Sequence, residues 1–156
     1  MAAAPEDHPD VAVFDEIGLI AYMVRSAIAR KLPDGLNYPQ FEVLNLLARR
    51  GDGMPPMQIA QALQIAKSGL TNTLQRLCAG GLILVETCEA DGRRKRIWLT
   101  AEGRQAYARA LVAIRPNMEH LRDGFTQKEF QEALPFLRAL RRWLAEIPLA
   151  KAPVEA

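Results

Sequence analysis

Residues 56–99 leave few folds open. Two short helical patterns flank a three-residue break, and a strand pattern follows at once. Pro56 suits the first turn of a helix, and Ile59, Ala60 and Leu63 share one face behind it. Beyond Gln64-Ile65-Ala66, the leucines Leu70, Leu74 and Leu77 recur at helical spacing as far as Gly80-Gly81, a pair suited to a C-terminal cap. Two short helices joined by so brief a turn make a helix-turn-helix. Leu82 to Cys88 is rich in β-formers, Asp91-Gly92 is a hairpin turn signal, and Arg96-Ile97-Trp98-Leu99 reads as the returning strand. A β-hairpin, or wing, is therefore expected directly after the second helix.

Helices are expected on both sides of this block. Phe14, Ile17, Ala21, Val24 and Ile28 alternate spacings of three and four, which predicts a first helix of about four turns ending before Pro33-Asp34-Gly35. Asn37 followed three residues later by Gln40 is a capping-box pattern, with Leu36 and Phe41 as its staple, so a second helix opens there and runs to Arg49-Arg50-Gly51. Thr100 can cap a fifth helix carrying Tyr107, Leu111, Ile114, Met118 and Leu121 in a row, and Pro116 is expected to kink or split it. Thr126 with Glu129 forms a second capping box, stapled by Phe125 and Phe130. It opens a last helix with Phe136, Leu140, Trp143 and Ile147 aligned, whose start Pro135 is expected to displace or bend.

The fold class expected is mainly α with a small two- or three-stranded β-wing: a winged helix-turn-helix over 36–100, flanked by helices at 11–33 and 101–147, with mobile ends at 1–10 and 148–156. A single domain of 156 residues has few layers with which to cover three long apolar rows. The flanking helices are accordingly read as dimerising elements, making the protein a homodimer.

Charge and composition narrow the function. The formal net charge is +2, but residues 1–20 hold five acids and no Lys or Arg, so the remainder carries +7. Arg93, Arg94, Lys95 and Arg96 form an unbroken basic run at the wing. Such a run is either a solvated turn or a nucleic-acid contact, and its place after a helix-turn-helix favours the latter. The longest stretch without a charged residue, Gly53 to Ala66, is interrupted by two prolines and three glutamines, so no membrane span is expected, and the chain is expected in the cytoplasm. His8 and His120 stand apart, which leaves no metal cluster or catalytic triad to propose, and no Gly-rich phosphate loop occurs. Neither enzyme activity nor a cofactor is expected.

The segment Asp91-Gly92-Arg93-Arg94-Lys95-Arg96-Ile97-Trp98-Leu99-Thr100 resembles the wing motif of the MarR family of bacterial transcription regulators, in which D-x-R is followed five residues later by L-T. Leu36 to Leu44, Ile59 to Leu63 and Leu77 to Ile83 extend the resemblance, which covers about residues 13–147. The resemblance implies a duplex-DNA-binding regulator, usually a repressor, with Asp91 positioning the wing tip by pairing with an arginine. It also implies a small aromatic or phenolic effector bound between the dimerising helices and the winged domain, for which Tyr22, Tyr38, Phe41, Trp98 and Met118 are candidate lining residues. Two positions depart from the family pattern: Val85 replaces a basic residue leading into the wing, and Ala66 replaces a Ser or Thr that would cap the recognition helix.

The residues support that implication on their own chemistry. With Leu70, Leu74 and Leu77 inward, the second helix of the motif turns Ser68, Thr71, Asn72, Gln75 and Arg76 outward. Amides suit adenine, and arginine suits guanine or phosphate. Arg93 is expected in the narrow minor groove, with Arg94, Lys95 and Arg96 adding salt-sensitive phosphate contacts. Two symmetric copies would read a pseudo-palindromic operator. The rival readings are a winged helix that binds protein, and a thiol-responsive regulator using Cys78 and Cys88.

Overall fold

The computed structural model describes residues 8–87 and 94–147. The order is α1 (Pro9–Ala29), α2 (Tyr38–Arg50), α3 (Pro56–Leu63), α4 (Lys67–Ala79), β1 (Ile83–Thr87), β2 (Lys95–Leu99), α5 (Ala101–Gly124) and α6 (Gln127–Glu146). The chain divides into two compact units at Arg115–Pro116, so α5 contributes to both.

The local signals act as the sequence implies at most joints. Asn37 Oδ1 accepts from the Gln40 amide at 3.0 Å while Gln40 Oε1 accepts from the Asn37 amide at 2.9 Å, so both halves of the capping box are closed. Thr126 and Glu129 do the same at the head of α6, where Phe125 and Phe130 meet edge-to-face with centroids 6.0 Å apart. The turn between α3 and α4 is made by Gln64 in the left-handed region (φ 54°), with its side-chain amide donating to the Gln61 carbonyl at 2.7 Å. Ala66 is the N-cap of α4 and offers no side chain to it. Ser68 lies inside the helix.

Three expectations are corrected. The first helix begins at Pro9, five residues before the apolar stripe and within the leader expected to be mobile, because Pro9 and Asp10 suit a first helical turn as well as any apolar residue does. Pro116 does not split α5 and Pro135 does not displace the start of α6; both lie inside continuous helices. Each ring deprives the carbonyl four residues back of its donor. Those carbonyls belong to Val112 and Gln131, residues exposed to water that can take over the bond.

The core of the first unit joins Phe41, Val43, Leu44 and Leu47 of α2 to Ile59 of α3 and to Leu70, Leu74 and Leu77 of α4. Ile83, Ile97 and Leu99 of the hairpin, and Ala110 and Ile114 of α5, complete it. β1 and β2 are antiparallel, with Ile83 opposite Leu99 and Thr87 opposite Lys95. Alternation puts Ile83, Ile97 and Leu99 into the core and Leu84, Glu86, Arg96 and Trp98 on the other face. On its outer edge β2 also bridges to Met54: the Ile97 amide donates to the Met54 carbonyl at 3.0 Å, and the Gly53 amide donates to the Ile97 carbonyl at 2.9 Å. The wing is thus two strands plus a single rung of a third.

By contrast, α1 and α6 contain no buried residue within a single chain. Phe136 is 57% and Trp143 62% exposed, and Leu19, Ile20, Tyr22 and Met23 are exposed on α1. Among the described residues no helix is long and apolar enough to cross a membrane.

Candidate nucleic-acid interface

The helix-turn-helix places one polar face of α4 in water. Leu70, Leu74 and Leu77 are buried, and that anchoring leaves Ser68, Thr71, Asn72, Gln75 and Arg76 exposed together on the opposite side. The Thr71 hydroxyl donates to the Lys67 carbonyl at 2.9 Å, so toward a ligand Thr71 presents an acceptor and a methyl group. Asn72, Gln75 and Arg76 keep donors directed outward, and Arg76 lies in the last turn. Sequence reasoning missed Lys67, which stands exposed at the first position of α4. Its signal was available, since a cation next to the break begins a helix whose outer face is rich in amides and hydroxyls.

The wing carries the basic residues. Arg94, Lys95 and Arg96 are all exposed. Asp91 and Arg93, expected at the tip, and Cys88 lie outside the described residues. Arg96 does not simply point to solvent: its Nη1 donates to the Gly53 carbonyl at 2.8 Å, so part of its guanidinium secures the wing to the α2–α3 connection. The expected phosphate contact must use what remains of its five donors.

The base of the wing is held by the connection between α2 and α3, by Trp98 and by Thr100. Asp52 Oδ1 accepts from the Leu99 amide at 2.9 Å, and its Oδ2 pairs with Arg104 in the first turn of α5. Gly53 has φ +76°, and a Cβ there would stand 2.8 Å from the Trp98 ring, so the indole packs flat over a position that only glycine allows. The Trp98 Nε1 donates to Glu86 at 2.8 Å across the hairpin. Thr100 closes the junction, donating to the Gly81 carbonyl at 2.7 Å and accepting from the Gly103 amide at 2.9 Å.

Of the candidate effector-pocket residues in the first unit, Tyr38 and Phe41 are brought together and Trp98 stands apart from them. Tyr38 and Phe41 are ring neighbours at 6.4 Å, Phe41 stacks on Tyr107 at 6.1 Å, and the Arg25 guanidinium lies 5.1 Å over the Tyr38 ring. Burial, reinforced by Glu42 and opposed by Arg25, pushes the Tyr38 phenol above its ordinary value. Trp98 sits instead on Gly53, at the far end of α2, and a helix of 13 residues spans roughly 18 Å. Tyr22 is 70% exposed, and Met118 belongs to the second unit and is 42% exposed. A concavity of about 480 Å³ is an open groove lined by Met57, Ala60, Gln61, Gln64, Ile65 and Lys67, none of them among the five candidates. Among the described residues, no group of three His, Cys, Asp or Glu could hold a metal ion.

A helix-turn-helix followed directly by an antiparallel wing defines a winged-helix fold. A family model described as MarR family matches residues 34–94. The transcriptional regulator HosA of Escherichia coli O127:H6 is 36% identical over 114 residues, covering 73% of this chain and 81% of HosA. A MarR-family regulator from Silicibacter pomeroyi has the same fold, with a TM-score of 0.74 at 24% identity over 97% of this chain and all of that one. Bordetella bronchiseptica BpsR, whose DNA binding is regulated by 6-hydroxynicotinic acid, superposes with a TM-score of 0.73 at 21% identity, covering 83% of this chain and 98% of BpsR. The chain belongs to the MarR family, whose members are transcription regulators and not enzymes.

Proposed function

We propose that this regulator binds duplex DNA sequence-specifically as a cytoplasmic homodimer, and that it acts as a repressor released by a small aromatic or phenolic molecule. The observation that carries the reading is the division of α4: three buried leucines on one face, and Ser68, Thr71, Asn72, Gln75 and Arg76 exposed on the other, with a basic wing following in the chain. An α-helix so equipped fits the major groove. Arg93, Arg94, Lys95 and Arg96 add the phosphate and minor-groove contacts of the wing, with Asp91 positioning its tip. The winged helix over 36–100 is the reading part, and 11–33 and 101–147 supply the dimer. The apolar side chains left uncovered on α1 and α6 support that pairing, and a two-fold dimer calls for a pseudo-palindromic operator.

For the effector, the Tyr38–Phe41 pair with the Arg25 guanidinium above it supports an aromatic acid, as does the effector of BpsR. Tyr22 and Met118 are retained as outer lining; Trp98 belongs to the wing base.

Fluorescence anisotropy of the purified protein tests the proposal, using duplex DNA from upstream of its own coding sequence beside a scrambled duplex at two salt concentrations. Preference for the native duplex with strong salt sensitivity is expected. Equal, weak binding to both would overturn sequence-specific recognition and leave a protein-binding winged helix.

A further inference from the structure

We infer that Asp52 is a positioning residue for DNA recognition, setting the wing against the recognition helix through the backbone of β2; the inference rests on the DNA-binding function proposed above. Three bonds line the outer edge of β2, away from β1. The Ile97 amide and carbonyl are taken by Met54 and Gly53, and the Leu99 amide is taken by the Asp52 carboxylate. A side chain thus fills the place where a third strand would have supplied a carbonyl.

The same carboxylate pairs with Arg104, so the α2–α3 connection, the end of β2 and the first turn of α5 meet on one group that is only 15% exposed. Arg96 adds a fourth tie by donating to Gly53, next in sequence. The recognition helix reaches the hairpin from the other side: the Leu82 amide donates to the Leu77 carbonyl at 3.0 Å, and the Thr100 amide donates to the Leu82 carbonyl at 3.2 Å. Rotation of the hairpin about the end of α4 is therefore resisted on its free edge by Asp52 and its neighbours. Wing and recognition helix must address the duplex together, so the angle between them is a determinant of affinity that Asp52 controls without touching DNA.

The test is a double-mutant cycle in the full-length protein, by anisotropy on the duplex from upstream of its own coding sequence. Asp52→Ala is compared in the native background and in one where Arg94→Ala and Lys95→Ala have removed wing charge. In the native background a loss of about tenfold is expected, with the salt slope reduced by about one; in the wing-neutralised background the loss should largely vanish, because coupled residues are not additive. Asp52→Asn keeps an acceptor for the Leu99 amide and should restore most of the affinity. Hydrogen exchange at the Leu99 amide should accelerate in Asp52→Ala and not in Asp52→Asn.

An equal loss in both backgrounds would overturn the inference, showing that Asp52 acts other than through the wing, as would unaltered affinity in the native background. If Asp52→Ala fails to fold, Asp52→Glu, which keeps a charge for Arg104 but displaces the acceptor from the Leu99 amide, carries the same cycle. Failure of the native protein to prefer its own duplex would instead overturn the DNA-binding function, a result read before any variant is made.

Discussion

The Tyr107 hydroxyl donates to Asn45 Oδ1 at 2.8 Å, joining α5 to α2 beside the stacked rings of Tyr107 and Phe41. Tyr107→Phe removes this one bond and keeps the stacking. A loss of about 1 kcal/mol is expected, the net worth of a partly buried hydrogen bond. In a chain of this size it should appear as a fall in Tm of about 2–4 °C. An unchanged Tm would mean that water replaces the hydroxyl at Asn45 without cost.

Arg76→Ala should weaken operator binding by about 1–3 kcal/mol while leaving Tm unchanged, because the side chain is exposed and packs on nothing in the core. Arg93→Ala should weaken binding and lower the salt slope by about one. Anisotropy as a function of salt distinguishes the two, since loss of base discrimination accompanies only the first.

Alanine at two glycines should have opposite effects. At Gly103 a Cβ would stand 2.0 Å from the Leu82 carbonyl oxygen, a backbone atom that cannot step aside, so Gly103→Ala should destabilise on the order of 3 kcal/mol or prevent folding. Gly69 lies in α4 with open space around it, and Gly69→Ala should leave Tm unchanged or raise it. Thermal unfolding of the pair checks both signs.

The Thr126 amide, and after it the Thr126 hydroxyl, hold the Glu129 carboxyl below its ordinary range. Just below that range the unfolded chain binds a proton at Glu129 that the folded chain does not, so this contribution is complete above the ordinary value and is lost as the pH falls through the folded one. Thr126→Ala takes away the hydroxyl and leaves the amide, so it should reduce the contribution at neutral pH and partly flatten the acid dependence of the urea midpoint. Parallel curves for the two proteins below about pH 4.5 would count against the assignment.

Phe136→Glu places a charge on the exposed apolar row of α6. If that row is covered by a second copy, light scattering should shift from twice 17.3 kDa toward a single chain. A mass unchanged by the substitution would move the interface elsewhere.

Much of this molecule was legible because its signals are local. The capping boxes of Asn37 and Thr126 and the leucine row at 70, 74 and 77 each act within one or two helical turns, and each element forms where those residues predict it. The start of α1 was misplaced because an apolar stripe marks what is packed, not where the backbone becomes helical. The prolines leave their helices unbroken, an outcome that depends on whether water can reach the carbonyl they strand. In the candidate interface, the exposed face of α4 followed from the positions of its leucines. The roles of Asp52, Arg104 and Trp98 did not, since Asp52 meets Leu99 across 47 residues and Arg104 across 52, and Gly-Asp-Gly reads locally as nothing beyond a turn.

The Met54 rung on the wing has a consequence for protein engineering. A chimaera that exchanges a wing between two regulators would be cut most simply at a loop, and the loop at 51–53 looks like a natural seam. Here that loop supplies part of the sheet, so a graft that leaves it behind would deliver a hairpin without its third edge. A graft that keeps the third edge must carry Asp52, Gly53 and Met54 together with the hairpin.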